Sequence, residues 1–466
     1  MDVEILSRIQ FALTIGFHYL FPPLSIGLGL CIVIMEGMYL KTKNRLYEEI
    51  TKFWVKIFAL IFALGVATGV VMVFAFGNNW ANYSRFVGDV FGSILGAEGV
   101  FAFFMEAGFL SILLFGWNRV SPKVHFISTI FVALGAHFSA VWIVFANSWM
   151  QTPAGFEIVG QGASAHAVIA DIWQVVFNPS SFDRLQHVLV GCWLAGSFLV
   201  VSISAFYVLR RKFLPHAIAS LKVGVVVAVS ATVLQFFTGD SSARLLATTQ
   251  PAKLAAFEGI FKTQAYAPLS IVGFVDTKDE TLTHSIGIPG LLSLLTYGDF
   301  ATPIKGLEEF PKEDRPNAAI VFQTYHIMVA MWSIMVLSCI VAIYAWKKRW
   351  QVGKWPLRFL VLSVFLPQVA NQAGWFSAEI GRQPWLVYGV LRTSEGLSRS
   401  VSAGQVLGSI IMFGSLYLIL FILFIYLLNN KIQHGPTLVE DEEPTYQKNP
   451  LLDKGSGNQD KNEGHL

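Results

Sequence analysis

Apolar residues run along this chain in stretches of more than twenty, separated by short polar connections rich in lysine and arginine. Stretches long enough to cross roughly 30 Å of hydrocarbon as helix fall at about 11–38, 53–76, 92–117, 124–149, 185–209, 217–238, 318–346, 357–379 and 404–429. The pattern predicts an all-α integral membrane protein of about nine transmembrane helices gathered in bundles. The connections after the first, third, fifth and seventh stretches carry Lys41, Lys43, Arg45 and Lys52, then Arg119 and Lys123, then Arg210, Arg211 and Lys212, then Lys347, Lys348, Arg349 and Lys354. Basic loops stay in the cytoplasm, so the N-terminus is expected outside and the C-terminus inside. MDVEILSRIQ lacks the basic start of a cleavable signal peptide. Four regions are expected: a six-span bundle at 1–238, one long outer loop at 239–317, a three-span region at 318–430, and a disordered cytoplasmic tail at 431–466 ending in KGSGNQDKNEGHL.

Composition supports this reading. The 466 residues are 54% hydrophobic and 14% charged, with 39 Phe and 13 Trp, far more apolar than a soluble chain of that length. A net charge of +3 gives no reason to invoke nucleic acid, because orientation in the bilayer accounts for the basic clusters. Cys31, Cys192 and Cys339 each sit inside an apolar run without CxxC spacing, which predicts buried, inert thiols.

Ionisable groups inside hydrocarbon cost several kcal/mol unless paired or ligating, so each is a candidate site. His18, Glu98, His187, Met328 and Glu379 all fall toward the outer side of their spans, and five potential ligands in one layer point to cofactors. Taken singly, a histidine such as His137 or His326 reads as an interhelical hydrogen-bond partner, and a methionine as core filler. Met328 opposite a buried histidine on another helix fits His/Met haem ligation. In GWFSAEIGRQPW, Glu379 and Arg382 read either as a helix-end ion pair between interfacial Trp375 and Trp385 or as part of such a site. Glu98 and Glu106, in LGAEGVFAFFMEAGF, lie about 80° apart around an α-helix and about 12 Å apart in depth. Carboxylates at two depths on one broad face are what a proton route needs, and Ser139 is placed to extend it.

RIQFALTIGFHYLF, TKFWVKIFALIFALGVATG, GDVFGSILGAEGVFAFFMEAGF, ANSWMQTP, PAKLAAFE and GWFSAEIGRQPW together resemble subunit I of the cytochrome bd-type quinol oxidases, from about residue 4 to 430. The resemblance implies an enzyme of the bacterial cytoplasmic (inner) membrane that oxidises ubiquinol or menaquinol and reduces dioxygen to water. It implies haem b558, haem b595 and a third haem, d or b, without copper. It assigns His187 and Met328 as axial ligands of haem b558, His18 as ligand of a high-spin haem, and Glu98 and Glu379 as acidic groups at the high-spin irons, with Trp375 near a macrocycle. It assigns Arg382 and Arg8 to haem propionates, Glu106 and Ser139 to proton delivery, and Lys253 and Glu258 to the quinol site. Protons would be drawn from the cytoplasm without pumping. Subunit II and small single-helix subunits are the implied partners within the lipid bilayer. Gln372 stands where many relatives carry an acidic residue, and the long loop resembles the shorter form of the family's quinol loop. A carrier-only membrane b cytochrome and a proton-coupled transporter are the competing functions; the transporter would show internal repeats, and none is visible.

Overall fold

A computed structural model of the chain describes residues 2–437; the expected tail from 438 onward lies outside the described residues. Among the described residues, nine helical segments are long and apolar enough to span a membrane: Val3–Thr42, Arg45–Asn78, Gly88–Phe115, Pro122–Gln151, Ser181–Arg210, Leu214–Thr249, Lys312–Lys347, Lys354–Ile380 and Ala403–His434. They are numbered here as spans one to nine. Successive spans alternate in direction. One end of the bundle gathers the basic connections and the other carries the long segment between spans six and seven; these are called the basic end and the loop end.

Several boundaries differ from the hydropathy expectation for identifiable reasons. Span one breaks after His18 and resumes at Pro22, because Pro22 and Pro23 have no N–H to continue the ladder. Span eight breaks between Leu362 and Phe365, one turn ahead of Pro367, whose ring displaces the Ser363 carbonyl. Span six runs to Thr249 rather than ending near 238, its polar last turns held by an Asp240–Arg244 pair at 2.8 Å. At 36 residues it is about 54 Å long. The long loop therefore starts at about 250. Span nine likewise continues to His434, past the expected boundary at 430.

Span three holds the one π-helical turn among the described residues, Glu98–Phe103. A π turn takes in one extra residue, which removes one 100° step between Glu98 and Glu106 and brings them from about 80° to about 20° apart. The two carboxylates thus share a face more closely than α-helical spacing predicts.

Span five is the centre of the molecule, with 83% of its most apolar window buried, against 17% for span three and 11% for span nine. It lies against spans one and six along most of its length. The crossing with span one is backbone on backbone: a Cβ on Gly27 would lie 2.1 Å from the Cys192 carbonyl oxygen, and one on Gly196 would lie 2.1 Å from the Gly27 carbonyl carbon. No side chain fits at either position, the close approach that glycine gives membrane helices. The three cysteines are free and buried, as expected.

The long loop is ordered rather than slack. It contains a short helix Pro251–Glu258, a hairpin pairing Leu269–Asp276 with Thr281–Ile288, and a second helix Leu291–Tyr297. Ala255, Phe257, Ile260, Leu292, Ile304 and Leu307 close over Val321 and Tyr325 of span seven, which fixes the first helix against the bundle. Two further small hairpins lie in connections, so strand is confined to the loops and the spanning part is wholly helical.

Candidate functional site

Three candidate ligands meet bare backbone on a neighbouring span. A Cβ on Gly69 would come within 3.3 Å of His18 Cε1, one on Gly239 within 3.7 Å of His187 Cε1, and one on Gly374 within 2.6 Å of Met328 Sδ. His18 Nδ1 lies 2.9 Å from the Thr68 hydroxyl, whose own hydrogen goes to the Leu64 carbonyl at 2.8 Å. The imidazole must therefore donate from Nδ1, which leaves the Nε2 lone pair for a metal, the tautomer control usual at ligating histidines. His187 has the Gln235 amide nitrogen 3.0 Å from Nδ1 and 3.2 Å from Nε2, while Gln235 Oε1 is buried without a partner. Turning that amide over places its oxygen on Nδ1–H, removes the orphan, and again frees Nε2. Met328 lies beside a buried cluster that includes Val190, one turn beyond His187 on span five.

The bland reading fits His137 and His326. His137 takes the Trp193 indole hydrogen at 2.9 Å and contacts the Ala133 carbonyl at 2.7 Å. His326 contacts the Phe322 and Ser270 carbonyls at 2.9 and 2.8 Å, tying the loop hairpin to span seven.

The acidic candidates are arranged along one face of span four. Glu98 accepts the Ser139 hydroxyl at 2.5 Å, so Ser139 contacts Glu98 directly instead of filling the space below it. Glu106 is 7% exposed, and its Cβ would lie 2.8 Å from a Cβ on Gly135. Glu379 accepts from Asn147 at 3.0 Å and from Gln151 at 3.3 Å. Asn147 is about two turns, some 12 Å, nearer the loop end than Ser139. Glu379 therefore sits above Glu98 rather than level with it, which divides the single layer expected from sequence. Gln372 donates to the Gly16 carbonyl at 2.8 Å and so bridges spans one and eight beside His18.

Glu379 belongs to a buried charged cluster that sequence reasoning found only in part. Arg382, 3% exposed, meets it at 2.5 Å. Asn147 connects it to Arg184, and Gln151 connects it to Lys253 through a 2.6 Å hydrogen bond from Nζ. Two guanidinium groups and a lysine thus surround one carboxylate. Arg184 Nε and Arg382 Nη1 are buried with no partner. Buried, unpaired guanidinium hydrogens are costly, and a carboxylate-bearing ligand is the chemistry that would satisfy them. Arg184 is one turn from His187 on span five, a position its spacing could have revealed; Asn147 and Gln151 carry no comparable sequence signal. Arg8 lies partly exposed on span one and meets no partner among the described residues, and Trp375 stacks edge-on against Phe376. Trp385 stacks under Arg392 at 4.4 Å.

Lys253 and Glu258 are not a solvated surface pair: they are 2% and 1% exposed and point to different neighbours. Burial holds Lys253 well below the usual lysine range, with repulsion from Arg184 and Arg382 adding and Glu379 opposing. Burial pushes the Glu258 carboxyl up to about 8, against hydrogen bonds from the Tyr325 hydroxyl and the Ser270 backbone, and its Oε2 has no partner.

Fold and site together define an integral membrane protein with paired carboxylates, histidines and a thioether inside its spans and a buried cationic cluster at the loop end. The chain belongs to the cytochrome bd terminal oxidase subunit I family, whose profile matches residues 6–436. It is 38% identical to cytochrome bd ubiquinol oxidase subunit 1 of Bacillus subtilis (strain 168), over 93% of this chain and 94% of the relative. It is 33% identical to cytochrome bd-II ubiquinol oxidase subunit 1 of Escherichia coli (strain K12), over 96% and 99% respectively. Among solved structures, bd oxidase from Geobacillus thermodenitrificans matches with a TM-score of 0.86 at 31% identity, covering 93% of this chain and 99% of that one. The chain is a terminal oxidase subunit, an oxidoreductase of electron transport.

Proposed function

We propose that this subunit binds haem, takes electrons from a membrane quinol at its loop end and passes them to dioxygen, in the bacterial cytoplasmic membrane. The observation that carries this reading is the set of three potential axial ligands, His18, His187 and Met328, each facing a glycine, in a chain of this family. Bound haem supplies the one-electron chemistry and the iron at which dioxygen is reduced. His187 and Met328 would hold the iron of haem b558. His18 fits a ligand of one high-spin haem, b595 or a third of d or b type, with Glu98, Glu379 and Trp375 beside that pair. Arg382 and Arg184 would hold propionates with their orphaned N–H groups, and Arg8 is the third candidate. The names of the relatives specify subunit 1 and ubiquinol; we extend to this chain a second multi-span subunit, single-helix accessory subunits and a ubiquinol or menaquinol substrate.

With the basic end in the cytoplasm, protons consumed at the dioxygen site enter from that side and pass Glu106 and Ser139, while those from quinol leave at the loop end. Charge separation then needs no pump. The deciding measurement is a reduced-minus-oxidised spectrum of the purified oxidase. One low-spin and two high-spin haem signals, the latter shifted by CO, are expected; a single low-spin b haem would make it an electron carrier only, and no haem would reject the reading.

Glu258 is proposed as the base that takes the quinol hydroxyl proton, with Lys253 alongside. A carboxyl titrating near 8 is protonated below that pH and cannot accept. Quinol oxidation should therefore climb as pH rises through about 8, and Glu258→Gln should flatten that limb and slow turnover with haem spectra intact. A pH profile unchanged by the substitution would place the base elsewhere.

A further inference from the structure

Spans one, three and four enclose a buried polar cluster at the basic end that the proposed function leaves unused. Glu36 and His125 are each 1% exposed and Thr129 is 2% exposed. Glu36 Oε1 lies 2.6 Å from His125 Nδ1, and its Oε2 accepts the Thr129 hydroxyl at 2.6 Å. His125 Nε2 points at the Leu113 carbonyl oxygen at 3.3 Å. A carbonyl oxygen only accepts, so Nε2 carries a hydrogen. The contact between Nδ1 and the carboxyl then shares one proton. The pair is either imidazolium with carboxylate or imidazole with carboxylic acid, and it is neutral in both forms. Trp117 covers the imidazole with ring centres 4.0 Å apart, and Lys52 lies over that indole at 4.9 Å, so the pair sits one side chain beneath the basic surface.

The position of this cluster in the bundle gives it a use. His125, Thr129, Ser139 and Asn147 occupy one stripe of span four, within about 80° around its axis at 100° per residue, and Gly135 lies about 40° beyond the Ser139 side of that stripe. Along the stripe the carboxyl groups follow in order from the basic end: Glu36 at His125 and Thr129, Glu106 at Gly135, Glu98 at Ser139, and Glu379 at Asn147. Four acidic residues from three other spans therefore meet a single face that runs the length of the bundle. A buried pair serving only to join helices has no reason to head such a series.

We propose that Glu36 and His125 form the intake of the proton route that continues through Glu106; this rests on the proton role proposed for Glu106. In each cycle the Nδ1–H bond of the imidazolium breaks as the O–H bond of Glu36 forms. Glu36 releases that proton toward Glu106, and Nδ1, the one lone pair left on the neutral imidazole, is reprotonated from the basic end. Thr129 and Gly135 are separated by roughly 9 Å of helix. The spans meet there through small residues, a Cβ on Gly29 lying 3.5 Å from that of Ala133, so the proposed transfer requires water to enter between Glu36 and Glu106.

The test compares Glu36→Gln, Glu36→Asp and Glu106→Gln in the assembled oxidase, reading oxygen consumption with excess quinol and proton uptake by a pH-indicating dye. Gln keeps the shape and hydrogen bonds of Glu36 but cannot cycle a proton, whereas Asp keeps the carboxyl and shortens its reach. A structural role is served better by Gln; a proton role is served better by Asp. The expected result is at least a tenfold loss of both rates in Glu36→Gln, substantial recovery in Glu36→Asp, and unchanged haem spectra in each. Full turnover in Glu36→Gln, or Asp slower than Gln, overturns the proposal. A slow Glu106→Gln beside a normal Glu36→Gln rejects this intake alone, whereas a normal Glu106→Gln rejects the route itself. Should Glu36→Gln fail to assemble, His125→Gln is read in the same way, and normal turnover with intact haems again overturns it.

Discussion

Met328→Leu should abolish the low-spin haem signal or lower its reduction potential by on the order of 0.1 V, a fraction of the roughly 0.8 V that axial ligands span. Leucine nearly conserves the volume of methionine, so the packing cost stays below about 1.5 kcal/mol and the fold survives. What is lost is the thioether, which as a ligand would raise the potential of a His/Met haem. Met328 Sδ lies where a Cβ on Gly374 would be 2.6 Å away, so the sulfur is held against the backbone of span eight with no room for a larger neighbour. Gly374→Ala should reproduce the spectral change from the opposite side, by pushing the sulfur off its position instead of removing it. Redox titration of both variants checks the assignment; an unaltered low-spin spectrum and potential in Met328→Leu would remove Met328 from the ligand set. We propose that quinol electrons enter at this haem, so turnover should fall together with the potential.

The spans were legible because membrane burial writes an uninterrupted apolar run, and backbone satisfaction in lipid leaves little alternative to helix. Their ends were less so. Span six continues to Thr249 through GDSSARLLATT, a sequence too polar to count as membrane but fully able to remain helical once it leaves the bilayer. The breaks before Pro22 and Pro367 were visible as prolines, yet hydropathy averages over them. The π turn at Glu98–Phe103 has no signature in composition, and it changed the angular relation of the two carboxylates more than any boundary error did.

The candidate site divides in the same way. Single ionisable residues within apolar runs, such as His18, Glu98, Glu106 and His187, announce themselves by their cost in hydrocarbon. Residues at the ends of spans do not. Arg184 lies in the first turn of span five and Lys253 in a loop helix, where charge is ordinary, and only the fold brings both to Glu379. Glu36 and His125 sit near the basic end, where each reads in isolation as a residue close to the interface; their 2.6 Å contact depends on the packing of span one against span four. Asn147 and Gln151, within ANSWMQTP, are uncharged and carry the cluster through hydrogen bonds alone.

Glu106→Gln should assemble, bind its haems and accept electrons from quinol, yet consume oxygen about 100-fold more slowly, in the range that loss of a positioned proton carrier produces. Glu106 is 7% exposed, and span three contains no lysine, arginine or histidine that could fix it as one half of an ion pair. It lies about 12 Å from Glu98 along the axis, and the π turn puts both carboxyl groups on nearly the same face. The side chain is pressed against span four at Gly135, four residues before the Ser139 that bonds Glu98, the next acceptor toward the loop end. Gln preserves the volume and hydrogen bonding of this position and removes only its capacity to take up and release a proton. Purified variant in vesicles should show normal haem spectra, reduction by quinol at the normal rate, slowed reoxidation by dioxygen, and a smaller membrane potential per electron, because uptake from the basic end is the step removed. Gly135→Ala tests the same position independently: a Cβ 2.8 Å from that of Glu106 must displace the carboxyl-bearing segment, and a partial loss of rate with intact spectra is expected. Full oxygen consumption together with full potential in Glu106→Gln would show that protons reach the dioxygen site by another path and that Glu106 serves packing alone.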